Sequence, residues 1–441
     1  MDKNDTLSSE PVPTSSTSAD DVKPTIYAWY VASVLTVTYV LAFIDRKLPF
    51  ILVESIKHDL SLSDTQIGLL TGVVFTLVYA VAGIPIAALA DRSPRKAIIG
   101  TAIFVWSVLT SAGGLATNFL QLAASRAGVA VGEAGSTPAA FSLISDYFSQ
   151  RYRARAFGLY YAGAQVGILL GLALGGWLND LTSWRTAMII VGAPGVLLSL
   201  LIFTTVREPT RKSDANVPVV ASTQSLSTGL KELLALPTYR NIFIAGVLFN
   251  CAGGGALSFG PAYVIREFHL TTAQTGLTYG LVTGGAGAIG AMMGGLIGDR
   301  LRRFDPRWPL RFVAGCLAIA TPFTIAAFMM HSYWAFLALL FVPHLSHMMY
   351  AGSTFSAIQS IVRVRTRALA SGVFLFGLNG VGLSLGSFLA GAISDRLSFL
   401  GHAASLRVAI IALSTLSMWG AVHYLRAASR LKADLALNTS A

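Results

Sequence analysis

Twelve apolar runs, each long enough to cross a bilayer, follow one another along the chain with charged breaks between them. Crossing the hydrocarbon core takes about 20 apolar residues. Inside it every backbone polar group must be satisfied within the protein, so runs of this length are read as helices. Their approximate limits are 27–55, 64–89, 97–116, 119–146, 155–178, 185–206, 240–264, 274–297, 310–330, 333–361, 368–393 and 405–427. Charged residues make up 12% of the 441, against about 25% in a soluble protein. That is too few to cover a soluble chain, and it excludes a soluble enzyme, a disordered regulator and a fibrous protein. The expected fold class is all-α integral membrane, with twelve transmembrane helices.

The net charge of +11 is spread in short bursts between apolar runs. Nucleic-acid binding needs a clustered basic face, so no nucleic-acid partner is expected. With both termini placed in the cytoplasm, 24 of the 32 Lys and Arg residues fall on that side, five on the other, and Arg46, Lys47 and Arg126 lie within spans. Basic residues collect on the cytoplasmic side of membrane proteins, which sets the orientation. Residues 1–26 are polar and lack the apolar segment of a cleavable signal, so a disordered cytoplasmic tail is expected there. A first six-helix bundle is expected over 27–206 and a cytoplasmic linker, rich in Pro, Ser and Thr, over 207–239. A second bundle is expected over 240–428 and a cytoplasmic tail over 429–441. Cys251 and Cys316 both lie inside apolar runs; neither a disulfide framework nor a metal site is expected.

The two halves repeat one another. Asp91-Arg92-Ser93-Pro94-Arg95-Lys96 after the second run has a counterpart in Asp299-Arg300-Leu301-Arg302-Arg303 after the eighth. Arg151-Tyr152-Arg153-Ala154-Arg155 likewise pairs with Arg363-Val364-Arg365-Thr366-Arg367. Two similar bundles side by side place a binding site between them, near the midplane.

Ala87–Lys96 resembles the loop 2–3 signature of the major facilitator superfamily, with a degenerate copy at Gly295–Arg303; Ala87 and Pro94 replace two of its usual glycines. Arg126-Ala127-Gly128-Val129-Ala130-Val131-Gly132-Glu133-Ala134, followed by Pro138 and Ser142–Asp146, is similar to the fourth helix of the spinster-like branch, with Ala130 in place of a glycine. Asp45-Arg46 in the first helix fits the same branch. The resemblance covers about residues 27–428. It implies two pseudo-symmetric six-helix bundles and proton-linked movement of lysophospholipids or sphingoid phosphates.

Asp45, Arg46, Arg126 and Glu133 carry the sharpest signal. Ionisable groups inside a span are unfavourable unless they face a cavity or one another. At 1.5 Å per residue, Asp45 and Arg126 both lie roughly 10 Å below the outer edge, so they can pair. Glu133, seven residues beyond Arg126, returns to the same helical face nearer mid-membrane. The bland reading is a salt bridge that fixes packing; two acids and two bases are more than packing needs. Low dielectric favours a protonated carboxyl and a nearby Arg favours the carboxylate, so moving an Arg between acids would switch proton affinity. Asp45 and Glu133 are therefore the candidate proton-coupling acids, with Arg46 and Arg126 as their partners and protons as the coupling ion in place of any cofactor. Lys47 reads as interfacial, its amine snorkelling outward.

The second half has no acid or base at its helix centres. Its deep polar groups are Asn250, Ser258, His344, His347 and Asn379, among Phe249, Phe259, Met348, Phe374 and Phe376. One charged wall and one apolar wall suit an amphiphile. Asn250, Phe259, His344, His347 and Asn379 are the candidate substrate contacts, and the two histidines read as hydrogen-bonded wall residues rather than metal ligands. By the same resemblance, Asp91, Arg92 and Asp146 form a cytoplasmic gate; Arg95 and Lys96 are explained by topology alone. Glycines at four-residue spacing on helices 2, 5, 8 and 11 let helices approach closely, and the family places those helices between the bundles.

The chain therefore reads as a proton-coupled secondary transporter, and not an enzyme, moving a lysolipid-like amphiphile by alternating access. It is expected as a monomer in the bacterial cytoplasmic membrane. An organic-anion or sugar-phosphate carrier is the alternative, and a membrane-embedded lipid enzyme is disfavoured because no nucleophile–base set is present.

Overall fold

The structure, a computed structural model, describes residues 23–209, 226–363 and 366–439. Among these residues the secondary structure is helical throughout, without a strand. Eleven helices are long and apolar enough to cross a membrane. Span 1 is Ile26–Asp59, span 2 covers 64–92, span 3 is Arg95–Gly113, span 5 Gln150–Leu181 and span 6 Trp184–Thr205. Span 7 is Pro237–Phe268, span 8 Thr272–Arg302, span 9 Trp308–Phe328 and span 10 Tyr333–Ile361. Span 11 covers 367–396, and span 12 joins His402–Ser414 to Leu416–Thr439. Span 4 is the twelfth, and it is broken: Phe119–Ala134 meets Ser136–Tyr147 at Gly135. Pro138 explains the break. It has no N–H to offer the carbonyl four residues earlier, at Ala134.

Spans 1–6 and 7–12 form two bundles. Large apolar side chains such as Leu197, Met292 and Leu296 are about 70% exposed, as a lipid-facing surface requires. The described part of the linker contains a further helix, Leu226–Ala235. The expected tail over 1–26 falls almost wholly outside the described residues. The tail expected over 429–441 is instead a continuation of span 12 to Thr439. Leu431 is buried there, and Asp434 accepts a hydrogen bond from the Thr238 backbone N–H at 2.8 Å.

The bundles meet most closely at the end opposite the basic loops. The N-termini of spans 2 and 8 have the same construction. Ser63 and Gln66 form a capping box on one, Thr271 and Gln274 on the other. Each N-terminus is also capped from the opposite bundle. Asp395 of span 11 accepts from the N–H groups of Asp64 (3.0 Å) and Thr65 (2.8 Å). Asp180 of span 5 accepts from those of Thr272 (3.2 Å) and Ala273 (2.8 Å). The acids favour these positions because a helix N-terminus presents unpaired donors and partial positive charge. Gly391 and Gly176, one turn before each acid, lie against Asp64 and Thr272, with no room for a side chain. Arg266 joins the same end, binding Asp64 at 2.8 Å and Glu54 at 2.7 Å. Towards the basic end, Gly158, Gly285, Gly295 and Gly372 face open space.

The glycine stripes divide between two jobs. Gly68, Gly72 and Gly276 pack across the bundles, against Ser387, Ser384 and Leu172. Gly167, Gly171 and Gly175 of span 5 pack on span 1 within their own bundle. Gly290, Gly294 and Gly298 do the same on span 10, as do Gly382 and Gly386 on span 7. Spacing of four defines a face of a helix but not the neighbour that covers it.

Candidate functional site

Spans 1 and 4 bring four charged side chains together inside the first bundle. Asp45 and Arg126 are buried and pair at 3.3 Å. The Thr110 hydroxyl donates to the other Asp45 oxygen at 2.5 Å. Two turns further along span 4, Arg46 pairs with Glu133 through its Nε. Glu133 is fully buried, and among the described residues its second carboxylate oxygen, Oε1, has no hydrogen-bond partner. Such an atom is costly in a dry interior, so this acid is only half satisfied.

Aromatic rings wall the cluster. Arg46 lies 4.7 Å from the Tyr79 ring centroid, 5.2 Å from Phe43 and 5.7 Å from Phe75. Arg126 lies 5.0 Å from the same Phe75 ring. Phe75 thus separates the two cations, each attracted to the π-face. The two ion pairs are joined through one ring and differ in one respect: Asp45 has both oxygens bonded and Glu133 has one.

A cavity of about 150 Å³ lies in the second bundle, lined by spans 7, 8, 9, 10 and 12. Phe249, Asn250, His344, His347 and Met348 line it. Asn250 also donates to the Leu378 carbonyl of span 11 at 2.7 Å. His344 pairs through Nδ1 with the Leu340 carbonyl at 3.0 Å, and His347 packs its ring 4.7 Å from Phe249. Two of the expected contacts lie elsewhere. Phe259 is fully buried in the packed apolar core with Ala262 and Tyr263. Asn379 is exposed, on a π-helical stretch of span 11, and does not line the cavity. Each was chosen for its depth along a helix, which says nothing of its direction around it.

Lys47 also departs from its expected place. It is not an outward interfacial amine: it lines the cavity of the opposite bundle, with its Nζ 4.8 Å from the Phe50 ring. Span 1 therefore carries three successive charges facing different partners. Asp45 turns to Arg126, Arg46 to Glu133 and Lys47 to the second bundle. The wall opposite the charged cluster has a cation, supplied from across the interface. Among the described residues no group of His, Cys, Asp and Glu is placed to hold a metal ion.

At the basic end, the side chains of Asp91 and Arg92 lie outside the described residues. Asp146 pairs with Arg95, not a gate residue by sequence. Arg95 is buried, binds Glu208 at 2.8 Å and donates to Ser142 at 2.9 Å and to the Pro209 carbonyl at 3.1 Å. Burial opposes ionisation of Glu208. The backbone N–H of Lys96, the Arg95 guanidinium and the Arg95 N–H outweigh it and hold the carboxyl below the usual glutamate range. Topology alone does not explain a buried arginine with two acids.

Sequence reasoning missed Glu208, Lys47, Asp180, Asp395 and Arg266. The capped N-termini of spans 2 and 8, which latch the two bundles together, had a legible signal. Ser63-Asp64-Thr65-Gln66-Ile67-Gly68 parallels Thr271-Thr272-Ala273-Gln274-Thr275-Gly276, at the same separation as Asp91 from Asp299.

The Major Facilitator Superfamily model matches residues 35–387. An MFS-type efflux pump of Mycolicibacterium smegmatis is 35% identical over 410 residues, 92% of this chain and 94% of that protein. A probable L-galactonate transporter of Escherichia coli K12 is 25% identical over 271 residues, 59% of each chain. Among solved structures, a bacterial homologue of the human lysosomal transporter spinster, inward-facing and unoccupied, superposes with a TM-score of 0.83. It has 30% identity, over 93% of this chain and 99% of the other.

Proposed function

The chain belongs to the major facilitator superfamily, in its spinster-like branch, and on that premise we propose that it is a proton-coupled secondary transporter of an amphiphilic, lipid-like substrate. It is a multi-pass membrane transporter rather than an enzyme. The finer reading is ours: protons as the driving ion, a lysophospholipid or sphingoid phosphate as cargo, and alternating access as the mechanism. We place it in a bacterial cytoplasmic membrane, as a monomer with both termini inside.

The observation that carries proton coupling is the half-satisfied Glu133. Its carboxylate is fully buried, held by Arg46 on one oxygen and, among the described residues, without a partner on the other. A buried acid loses its proton when a cation stands beside it and regains it when the cation leaves. In this reading Arg46 is drawn toward the substrate's head group, Glu133 takes up a proton, and the neutral acid lets the bundles rearrange. Asp45, fully bonded, keeps Arg126 in place meanwhile. The latch around Asp64 and Arg266 closes one side of the crevice, and rocking exchanges it for the Asp91, Arg92 and Asp146 gate on the other.

The substrate class rests on cations of span 1 meeting an apolar surface of the second bundle. Arg46 and Lys47 offer cations near the interface, while Phe249, Leu340 and Met348 offer an apolar surface. An anionic head with an apolar body fits both. The test is flux of a lysolipid into proteoliposomes under an imposed pH gradient. Wild-type flux should follow the gradient, and Glu133→Gln should transport without responding to it. Unchanged gradient dependence in Glu133→Gln would reject the assignment.

A second reading is an organic-anion carrier, favoured by Lys47 in the cavity and by the similarity to a probable L-galactonate transporter. Hydrophilic acids should then compete for transport. Competition by a sugar acid but not by the lysolipid selects this reading over the first.

A further inference from the structure

A second charged recess lies far from the crevice. It sits at the basic end, between the first turns of span 7 and residues 423–430 of span 12, and has a volume of about 600 Å³. Arg240, Arg426 and Arg430 line it with Asn241, Ile244 and His423. No acid lines it, and the Asp434 carboxylate of span 12 is occupied by the Thr238 N–H. His423 and Asn241 bond one another at 2.8 Å, which fixes the floor. Among the described residues none of the three arginines has an acidic partner.

The recess is basic at one end and apolar above. Ile244 stands one turn along span 7 from Arg240. On span 12, Trp419 stands one turn before His423 on the same helical face and is exposed. That is the polarity of a phospholipid, with a charged head at the helix ends and acyl chains along the spans.

Basic residues at this end also serve topology, so the internal repeat provides the control. Spans 1 and 6 are the counterparts of spans 7 and 12. There the same position is closed: the Tyr27 hydroxyl donates to the Thr205 carbonyl at 2.8 Å, and Tyr30 bonds the Thr205 hydroxyl at 2.6 Å. Arg207 folds over the Tyr27 ring at 5.6 Å. Topology is thus met in the first bundle without an open arginine-lined recess.

We propose that the recess between spans 7 and 12 binds the phosphate head group of an anionic bilayer phospholipid. Guanidinium groups match phosphate oxygens in geometry as well as charge, and basic pockets between helices on this side of a membrane are suited to anionic head groups. The site is independent of the transported substrate.

The test is native mass spectrometry of the full chain, purified in detergent and exposed to equal amounts of phosphatidylglycerol and phosphatidylcholine with the same acyl chains. The wild type should retain phosphatidylglycerol preferentially. Each arginine removed in R240Q, R426Q and R430Q should weaken that retention by about fivefold, from the electrostatic worth of one basic residue near a lipid surface. Inorganic phosphate should not displace the lipid; if it does so fully, the recess is a free-phosphate site and the lipid assignment fails. Equal retention of both lipids by the wild type overturns the proposal without any variant. So does an undiminished preference in the triple variant or, should that variant not be recovered, in R430Q alone.

Discussion

Asp45, Arg46 and Lys47 are consecutive, yet each meets a different partner. On a helix, successive side chains project about 100° apart, so three neighbouring charges cannot share one site. The Asp45–Arg126 pair is read as the fixed member of the cluster. Asp45→Asn should leave a buried arginine uncompensated and cost about 3–5 kcal/mol. Adding Arg126→Met should recover part of that loss. Thermal unfolding of the purified single and double variants checks this, and equal destabilisation in both would contradict the pairing. Lys47→Met should leave folding unchanged and weaken binding of anionic amphiphiles more than of uncharged ones, as measured by competition for transport. Glu208 supplies a pH signature. Its carboxyl is held below the ordinary value, so its contribution is present above the usual glutamate range, about 4.3, and is lost as pH falls through the lower folded value. The stability gap between wild type and Glu208→Gln should therefore be open at neutral pH and close in acid. A gap that is the same at both would remove Glu208 from the Arg95 hub.

Among the elements, spans 2 and 8 repay attention as a pair. Each starts with a capping box and is capped again by an acid from the opposite bundle. This latch holds because its donors are backbone N–H groups that no intrahelical bond satisfies. Losing a cap costs about 1 kcal/mol, so Asp180→Ala and Asp395→Ala together should shift the balance towards opening at this end. Spin labels placed on the loops after spans 1 and 7 should report longer distances in the double variant. Unchanged distances would show that the glycine contacts alone close the crevice. Spans 2 and 11 also share a feature that no periodicity announced: each contains a π-helical stretch, Leu69–Val74 and Phe376–Leu383. Such stretches often mark functional positions, and these lie on one of the two helix pairs that pack across the bundles, the other being spans 5 and 8. Span 4, read from the sequence as one run over 119–146, is broken at Gly135, and Pro138 is the residue that could have marked the break.

For the molecule as a whole, the sequence determined the class and the count. Twelve apolar runs, a bias of basic residues and a repeated loop are one-dimensional patterns, and the physics that produces them acts along the chain: membrane thickness, the cost of burying charge and the need to close backbone hydrogen bonds. The observed helices agree with the expected runs to within a few residues at most ends, apart from span 12, which continues to Thr439. The resemblance to a known superfamily was carried by residues as short as Ala87–Lys96. What the sequence did not contain was direction around a helix and the identity of the neighbour. Phe259 had the right depth but is packed into the core, Asn379 is exposed away from the second-bundle cavity, and Lys47, read as interfacial, lines the cavity of the other bundle. Arg95 looked like one basic residue among many until Asp146 and Glu208 closed around it. The helix-5 glycines had the spacing of an interface and serve a contact inside their own bundle. These outcomes were decided by tertiary structure because burial and pairing depend on which helix stands opposite, and helices remote in sequence meet only when both bundles have formed.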